Sequence, residues 1–300
     1  MKRKYYALMI VLAGVLWGFD GLLRRYLAGI PSTIVVTLEH FIRVLILLPF
    51  LPRLIHECKK LNGKDWLLAV MLALFSGALG SIFYTAALAK VENISYSVVV
   101  LLQQIQPLFT ILLAALILKE KITWRYSLFA LVALAAAYLL TFPNFKPIIF
   151  HQDGEIVAAA LAVGAAAMWG SSTVISKLLL KKLSFIAVVM LRFALVVPFS
   201  LIIGWLIGDR YPLTLITHAQ WNYLLLLSVI TGVFGYLAYY LGLRHTEVKV
   251  ATFSEFAWPV SAALIGYFVI GERLTAVQLI ASLVLIADIL ILSLSQNEAA

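Results

Sequence analysis

KVATFSEFAWPVSAALIGYFVIGER, residues 249–273, is a long apolar run interrupted by one glutamate and one proline. YSVVVLLQQIQPLFTILLAALILKEK, residues 96–121, repeats the arrangement earlier in the chain, with glutamines before its proline. Proline has no amide hydrogen, so inside a helix it leaves the carbonyl four residues back without a partner. Four back from Pro259 is Glu255, and four back from Pro107 is Gln103. Each freed carbonyl therefore belongs to a residue that also carries a polar side chain. Thirteen residues beyond each proline stands an acid followed by a base, Glu120-Lys121 and Glu272-Arg273. The two stretches read as kinked helices carrying the polar, working part of an oily chain.

That part lies in a membrane. Hydrophobic residues make up 63% of the 300 and charged residues 12%, with a mean hydropathy of +1.02. Soluble domains are about half apolar and a quarter charged. A membrane-crossing helix needs roughly 20 mostly apolar residues, and the chain holds about ten such segments. They are expected near 6–28, 32–52, 66–89, 94–118, 124–142, 154–178, 184–207, 221–243, 247–270 and 274–294. Thr275 and Gln278 have capping-box spacing for the start of the last one. The run after Lys2-Arg3-Lys4 continues to about Leu27 without a small-x-small cleavage pattern, so it is read as a retained first helix. Placing the N-terminus in the cytoplasm puts fifteen lysines and arginines inside and six outside, the bias membrane proteins show. Both termini are then cytoplasmic. The same bias explains the net charge of +9, so no nucleic-acid partner is needed.

The halves repeat each other. Trp17-Gly18 matches Trp169-Gly170, Arg43 matches Arg192, and Gly77, Gly80 and Tyr84 match Gly232, Gly235 and Tyr239. Pro107 and Glu120 match Pro259 and Glu272 in the same order. The expected fold is an all-α integral membrane protein, with residues 1–142 as one five-helix repeat, 143–153 as linker and 154–300 as the second. Five is odd, so the second repeat enters the bilayer from the opposite side. Inverted repeats are a recurrent transporter design with the solute site at mid-membrane between them.

On these motifs the chain resembles the drug/metabolite transporter superfamily, in the branch built from two tandem EamA domains. The resemblance spans about residues 6–294. It implies a ten-helix carrier of small organic solutes, often an exporter of amino acids or related metabolites. The halves differ at Asp20 against Ser172 and at Gln103 against Glu255.

Glu255 is about eight residues into its helix, a depth at which an ionisable group is a functional candidate by default. It is read as a cation contact or proton carrier, against the alternative of a structural partner for Arg192. Gln103, His40, Arg192, Tyr84, Tyr239 and Trp258 join it as candidate substrate or coupling residues. Glu39 and Arg43 have the favourable i, i+4 spacing of a helical ion pair and are read as structural. Asp20 and Arg24 repeat that spacing, with Arg24 and Arg25 expected to snorkel outward. Pro107, Pro259, Glu120 and Glu272 are read as architectural, and Trp17, Gly18, Trp169 and Gly170 as close-packing positions. Asp288 has no evident partner.

No His-Glu-x-x-His, Ser/His pair or paired aspartates suggest an intramembrane enzyme, and there is no P-loop. No metal site or cofactor is expected. A channel would not require a mirrored duplication. The expectation is a secondary carrier in a bacterial-type inner membrane, multi-pass, working by alternating access, with protons as the candidate coupling ion. Export of amino acids or related metabolites is the first reading, and movement of a choline-like or drug-like organic cation is the alternative. Monomer and homodimer both stay open.

Overall fold

A computed structural model describes residues 3–89, 99, 102–141, 153–270 and 275–295. Glu272 and Arg273, and the expected linker from 143 to 152, lie outside them. The described residues are helical and contain no strand. The first half has α1 (Arg3–Trp17), α2 (Asp20–Arg25), α3 (Ser32–Leu47), α4 (Leu51–Cys58), α5 (Gly63–Met71), α6 (Ser81–Ala89), α7 (Gln106–Leu113) and α8 (Trp124–Thr141). The second has α9 (Asp153–Leu179), α10 (Phe185–Ile207), α11 (His218–Leu226), α12 (Gly235–His245), α13 (Val248–Ser254), α14 (Ala257–Ile265) and α15 (Ala276–Ser295).

Side chains start and stop these helices where the backbone would otherwise lack partners. Asn62 and Asp65 exchange side-chain and backbone hydrogen bonds at the start of α5, both 3.0 Å. Thr217 and Gln220 do the same before α11, and Thr275 and Gln278 before α15. Such boxes satisfy amide hydrogens that the first turn leaves free. Gly208 ends α10 at φ 78°, a left-handed conformation that a side chain disfavours.

Among the described residues, six continuous helical stretches are long and apolar enough to cross a membrane. They are Tyr5–Arg25, Ser32–Cys58, Gly63–Ala89, Gly154–Leu179, Phe185–Ile207 and His218–His245. Three shorter apolar helices, Gln106–Leu118, Ser127–Leu139 and Ala276–Asp288, accompany them. The outer face is apolar: Leu201, Ile202, Trp205 and Leu206 of α10 are all exposed. Polar groups lie inside, with Glu39, Arg43, Ser76 and Arg192 all buried. A surface of this kind is covered by lipid, and helices satisfy their own backbone there.

The duplication is visible in the backbone itself. Wide π-helical turns occupy Leu72–Gly80 and Leu227–Phe234, and again Ala114–Leu118 and Gly266–Ile270. Members of each pair stand at matching places in the two halves, and such widened turns cluster at functional sites.

Packing crosses between the halves in a reciprocal way. Helix α1 lies on α12 and α14, while α9 lies on α6 and α7. Helices α3 and α10 lie against each other, and α8 lies against α15. The Trp17 indole donates to the Thr231 carbonyl, and the Trp169 indole to the Ser76 carbonyl, each at 3.0 Å. Glycine makes both approaches possible. A Cβ at Gly235 would stand 2.7 Å from the Trp17 ring nitrogen, and one at Gly80 would stand 2.8 Å from that of Trp169. Gly18 lies against Ser261, and a Cβ at Gly170 would be 2.8 Å from the Gln106 carbonyl.

Candidate functional site

The proline stretches break rather than bend. Gln104 and Ile105 form a turn before α7, and Glu255 and Phe256 form one between α13 and α14. Pro107 and Pro259 thus sit in the first turn of a new helix, where a missing amide hydrogen matters least. The expectation of a carbonyl left without a partner is corrected on one side. The Glu255 carbonyl accepts the Trp258 amide at 2.9 Å. What the break does instead is free side chains at 103–106 and 255 from a regular helical face.

Those side chains open onto a concave, partly open cavity, the kind of place where small-molecule sites form. Gln103, Gln104, Gln106 and Glu255 line it, together with Trp17, Tyr84, Trp169, Tyr236, Tyr239 and Trp258. The Trp17 ring lies 5.1 Å from Tyr239, and its match Trp169 lies 5.1 Å from Tyr84. Both separations suit tilted aromatic pairs.

Glu255 meets neutral donors. Tyr239 donates to Oε1 at 2.7 Å and Gln106 to Oε2 at 2.8 Å. Because a carboxylate accepts, the Gln106 amide must present its nitrogen there and turn its oxygen to Gln103, which donates at 2.7 Å. The Gln103 oxygen is then left buried with no partner among the described residues, as is that of Gln104. One carboxylate sets the direction of the whole amide chain.

Arg192 and Glu255 form no ion pair. Arg192 donates to Tyr240 at 2.9 Å, Ser76 at 2.7 Å and Tyr236 at 3.0 Å, and its guanidinium lies 4.3 Å from the Tyr236 ring centre. The alternative of Arg192 as the structural partner of Glu255 is therefore not what the geometry contains.

A second polar cluster, whose Asp20, Arg24 and Arg43 also line the cavity, is tied together by ion pairs. Arg24 binds Asp20 at 2.6 Å and Glu39 at 2.9 Å, and Arg43 binds Glu39 at 3.2 Å. Arg24 also donates to Thr85 at 2.9 Å. It is buried, so the expected outward snorkelling is corrected: two carboxylates hold it inside. His40 accepts this cluster's other contact. Its Nδ1 lies 2.8 Å from the Val36 carbonyl and its Nε2 lies 3.2 Å from Arg43. A carbonyl only accepts and a guanidinium only donates, which assigns the neutral Nδ1–H form. His40 is not among the residues lining the cavity; it stands behind Arg43, edge-on to Phe193.

Glu120 sits at the end of the broken α7 region, where Lys119 turns left-handed at φ 57°. Its two oxygens accept the Val248 and Lys249 amides at 3.0 and 3.1 Å, so a carboxylate meets the favourable end of α13. Lys177 mirrors this at the end of α12, donating to the Leu243 and Thr246 carbonyls, both 2.6 Å. Asp288 is buried with Oδ2 unpartnered among the described residues. The sequence reading passed over Gln104, Gln106, Ser76 and Thr173, all on the cavity wall. Gln106 was within reach, three residues beyond Gln103 and next to Pro107.

Two stretches of the chain, 4–142 and 156–294, each match the EamA-like transporter family. The "Riboflavin transporter ImpX" of Fusobacterium nucleatum is 32% identical over 289 residues, covering 96% of this chain and 97% of that one. A "Riboflavin transporter" of Vibrio cholerae is 26% identical over 202 residues, covering 66% and 64%. A solved crystal structure superimposes with a TM-score of 0.78 over 98% of both chains at 15% identity, a likeness of fold alone.

Proposed function

The chain belongs to the EamA-like transporter family, and from that premise we propose that it is a secondary carrier of riboflavin or a closely similar flat heteroaromatic solute. Its two repeats, 1–142 and 154–300, are five helices each, threaded through the membrane in opposite directions around the shared cavity. Inverted repeats of this kind expose a central site to either side in turn.

The observation that carries the reading is the combination of aromatic and amide groups lining one cavity. The matched pairs Trp17–Tyr239 and Tyr84–Trp169 offer faces for a planar ring. Gln103 and Gln104 line the same cavity, and their oxygens, without partners among the described residues, suit the N–H of an imide-bearing ring. Thr173, Thr231 and Thr252 suit the hydroxyls of a sugar-alcohol chain. The 32% identity to a riboflavin transporter over nearly the full chain points the same way.

A solute carrying an amine, an amino acid among them, is the second reading. It is favoured by Glu255, whose carboxylate has only neutral partners in Tyr239 and Gln106. Vesicles containing the purified protein test both. Saturable riboflavin flux, competed by other isoalloxazines and not by amino acids or choline, is the expected result. Saturable flux of an amino acid or choline with riboflavin inert would replace the first reading with the second.

A further inference from the structure

Three arginines line the cavity, and two of them are neutralised. Arg24 and Arg43 share Glu39, and Arg24 also holds Asp20. That cluster contains two acids and two bases and balances itself. Arg192 is buried and meets no carboxylate among the described residues. On its own helix, the place that matches Glu39 is filled by the buried Val188.

Donors outnumber acceptors around Arg192. A guanidinium has five N–H hydrogens, and three go to the oxygens of Tyr240, Ser76 and Tyr236. The Nε hydrogen has no partner. Each of those three oxygens is accepting from Arg192, so its own hydrogen is directed elsewhere. Tyr240 accepts a second bond from Ser176 at 3.0 Å. The surroundings of a buried positive charge therefore present further hydrogens and no negative charge. Leaving a buried cation uncompensated costs several kcal/mol, and an ionisable group inside a membrane protein marks a ligand or ion path by default. Glu255 is not a direct partner of Arg192: its oxygens meet Tyr239 and Gln106, and the Tyr239 ring stands 5.4 Å from that of Tyr240.

We propose that Arg192, with Tyr236 and Ser76, forms a binding site for one small monovalent anion or anionic group, of the chloride or carboxylate class, inside the cavity. The group gives Arg192 the direct negative partner that Glu39 gives Arg43. It arises from either of two sources: an inorganic ion that accompanies the solute, or an acidic group on the solute itself. The site stands independently of the riboflavin reading, since it rests on Arg192 and not on the aromatic wall.

The test is a titration of the purified full chain with sodium chloride and with sodium acetate, ionic strength held constant with sodium sulfate, whose divalent anion lies outside the proposed class. Melting temperature and tryptophan fluorescence are read together. The wild type is expected to show a saturable rise in melting temperature. Arg192→Gln removes a charge-assisted contact and is expected to weaken apparent anion affinity at least about tenfold. Tyr236→Phe keeps the charge and removes one donor, with an expected loss of about threefold. If Arg192→Gln does not fold, Tyr236→Phe and Arg192→Lys decide. Riboflavin binding that strengthens with chloride assigns the site to an accompanying ion. Competition between chloride and an acid-bearing flavin assigns it to the solute. An anion response without any riboflavin binding retains this site and removes the flavin reading. A wild type indifferent to both anions, or Tyr236→Phe and Arg192→Lys titrating as wild type, overturns the proposal.

Discussion

Arg43 and Arg192 hold matching places in the two halves, yet their surroundings have opposite characters. Arg43 stands one helical turn after Glu39 and binds it, inside a cluster tied to Arg24 and Asp20. Arg192 stands one turn after Val188 and is held by three hydroxyls. Duplication supplied two equivalent cations, and a single position four residues upstream separated their roles. The acid-bearing copy forms a fixed strut among α2, α3 and α6. The copy without an acid is held, among the described residues, by hydroxyls and the face of Tyr236 alone.

The contrast breaks most readily at the strut. Glu39→Gln leaves Arg24 and Arg43 sharing a neutral amide in a buried site, and a destabilisation of about 3–5 kcal/mol is expected. Thermal melting in detergent reads it directly; a variant melting like wild type would show that Glu39 does not hold the cluster. Glu255→Gln is the counterpart on the open side. Its amide still accepts from Tyr239, so the fold is expected to persist, while solute flux in vesicles falls at least about tenfold. Undiminished flux would remove Glu255 from the transport path.

Smaller effects sharpen the comparison between halves. Trp17→Phe and Trp169→Phe each delete one indole-to-carbonyl bond across the repeats, and each is expected to cost about 1 kcal/mol. Unequal losses, seen in parallel melting curves, would mean that the two seams do not contribute alike. Arg53 and Glu57 show the same i, i+4 type of pairing at 2.8 Å, with the arginine side chain 52% exposed. Arg53→Ala is expected to cost only about 0.2–1 kcal/mol. A loss as large as that of Glu39→Gln would contradict the weight placed on burial.

Much of the fold was legible because lipid imposes simple local rules. A helix of about 20 apolar residues announces itself in any window of the sequence, and six of the expected segments recur among the described residues as helices long enough to cross a membrane. The capping box at Thr275 and Gln278 was legible for the same reason, since it depends on residues three apart. Recurring Trp-Gly, Arg and Gly-x-x-Gly positions pointed to duplication, and two family matches along the chain agree with it. The proline stretches were recognised as special but misjudged in form. A proline twelve residues into an apolar run gives the same signal whether the helix bends or restarts. Only the turn at Glu255 and Phe256 and the bond from Trp258 decide for a restart.

By itself, the sequence determined residence in a membrane, the duplicated plan and the short roster of polar residues in an apolar chain. Which of those residues meet was decided by the tertiary structure alone. Arg192 finds Ser76 and Tyr236 at separations of 116 and 44 residues, and Glu255 finds Gln106 at 149. His40 falls behind Arg43, although it is as polar as its neighbours on α3. The reason is physical: hydropathy and capping act over a few residues of chain, whereas a buried charge is satisfied by whatever groups folding brings within about 3 Å of it.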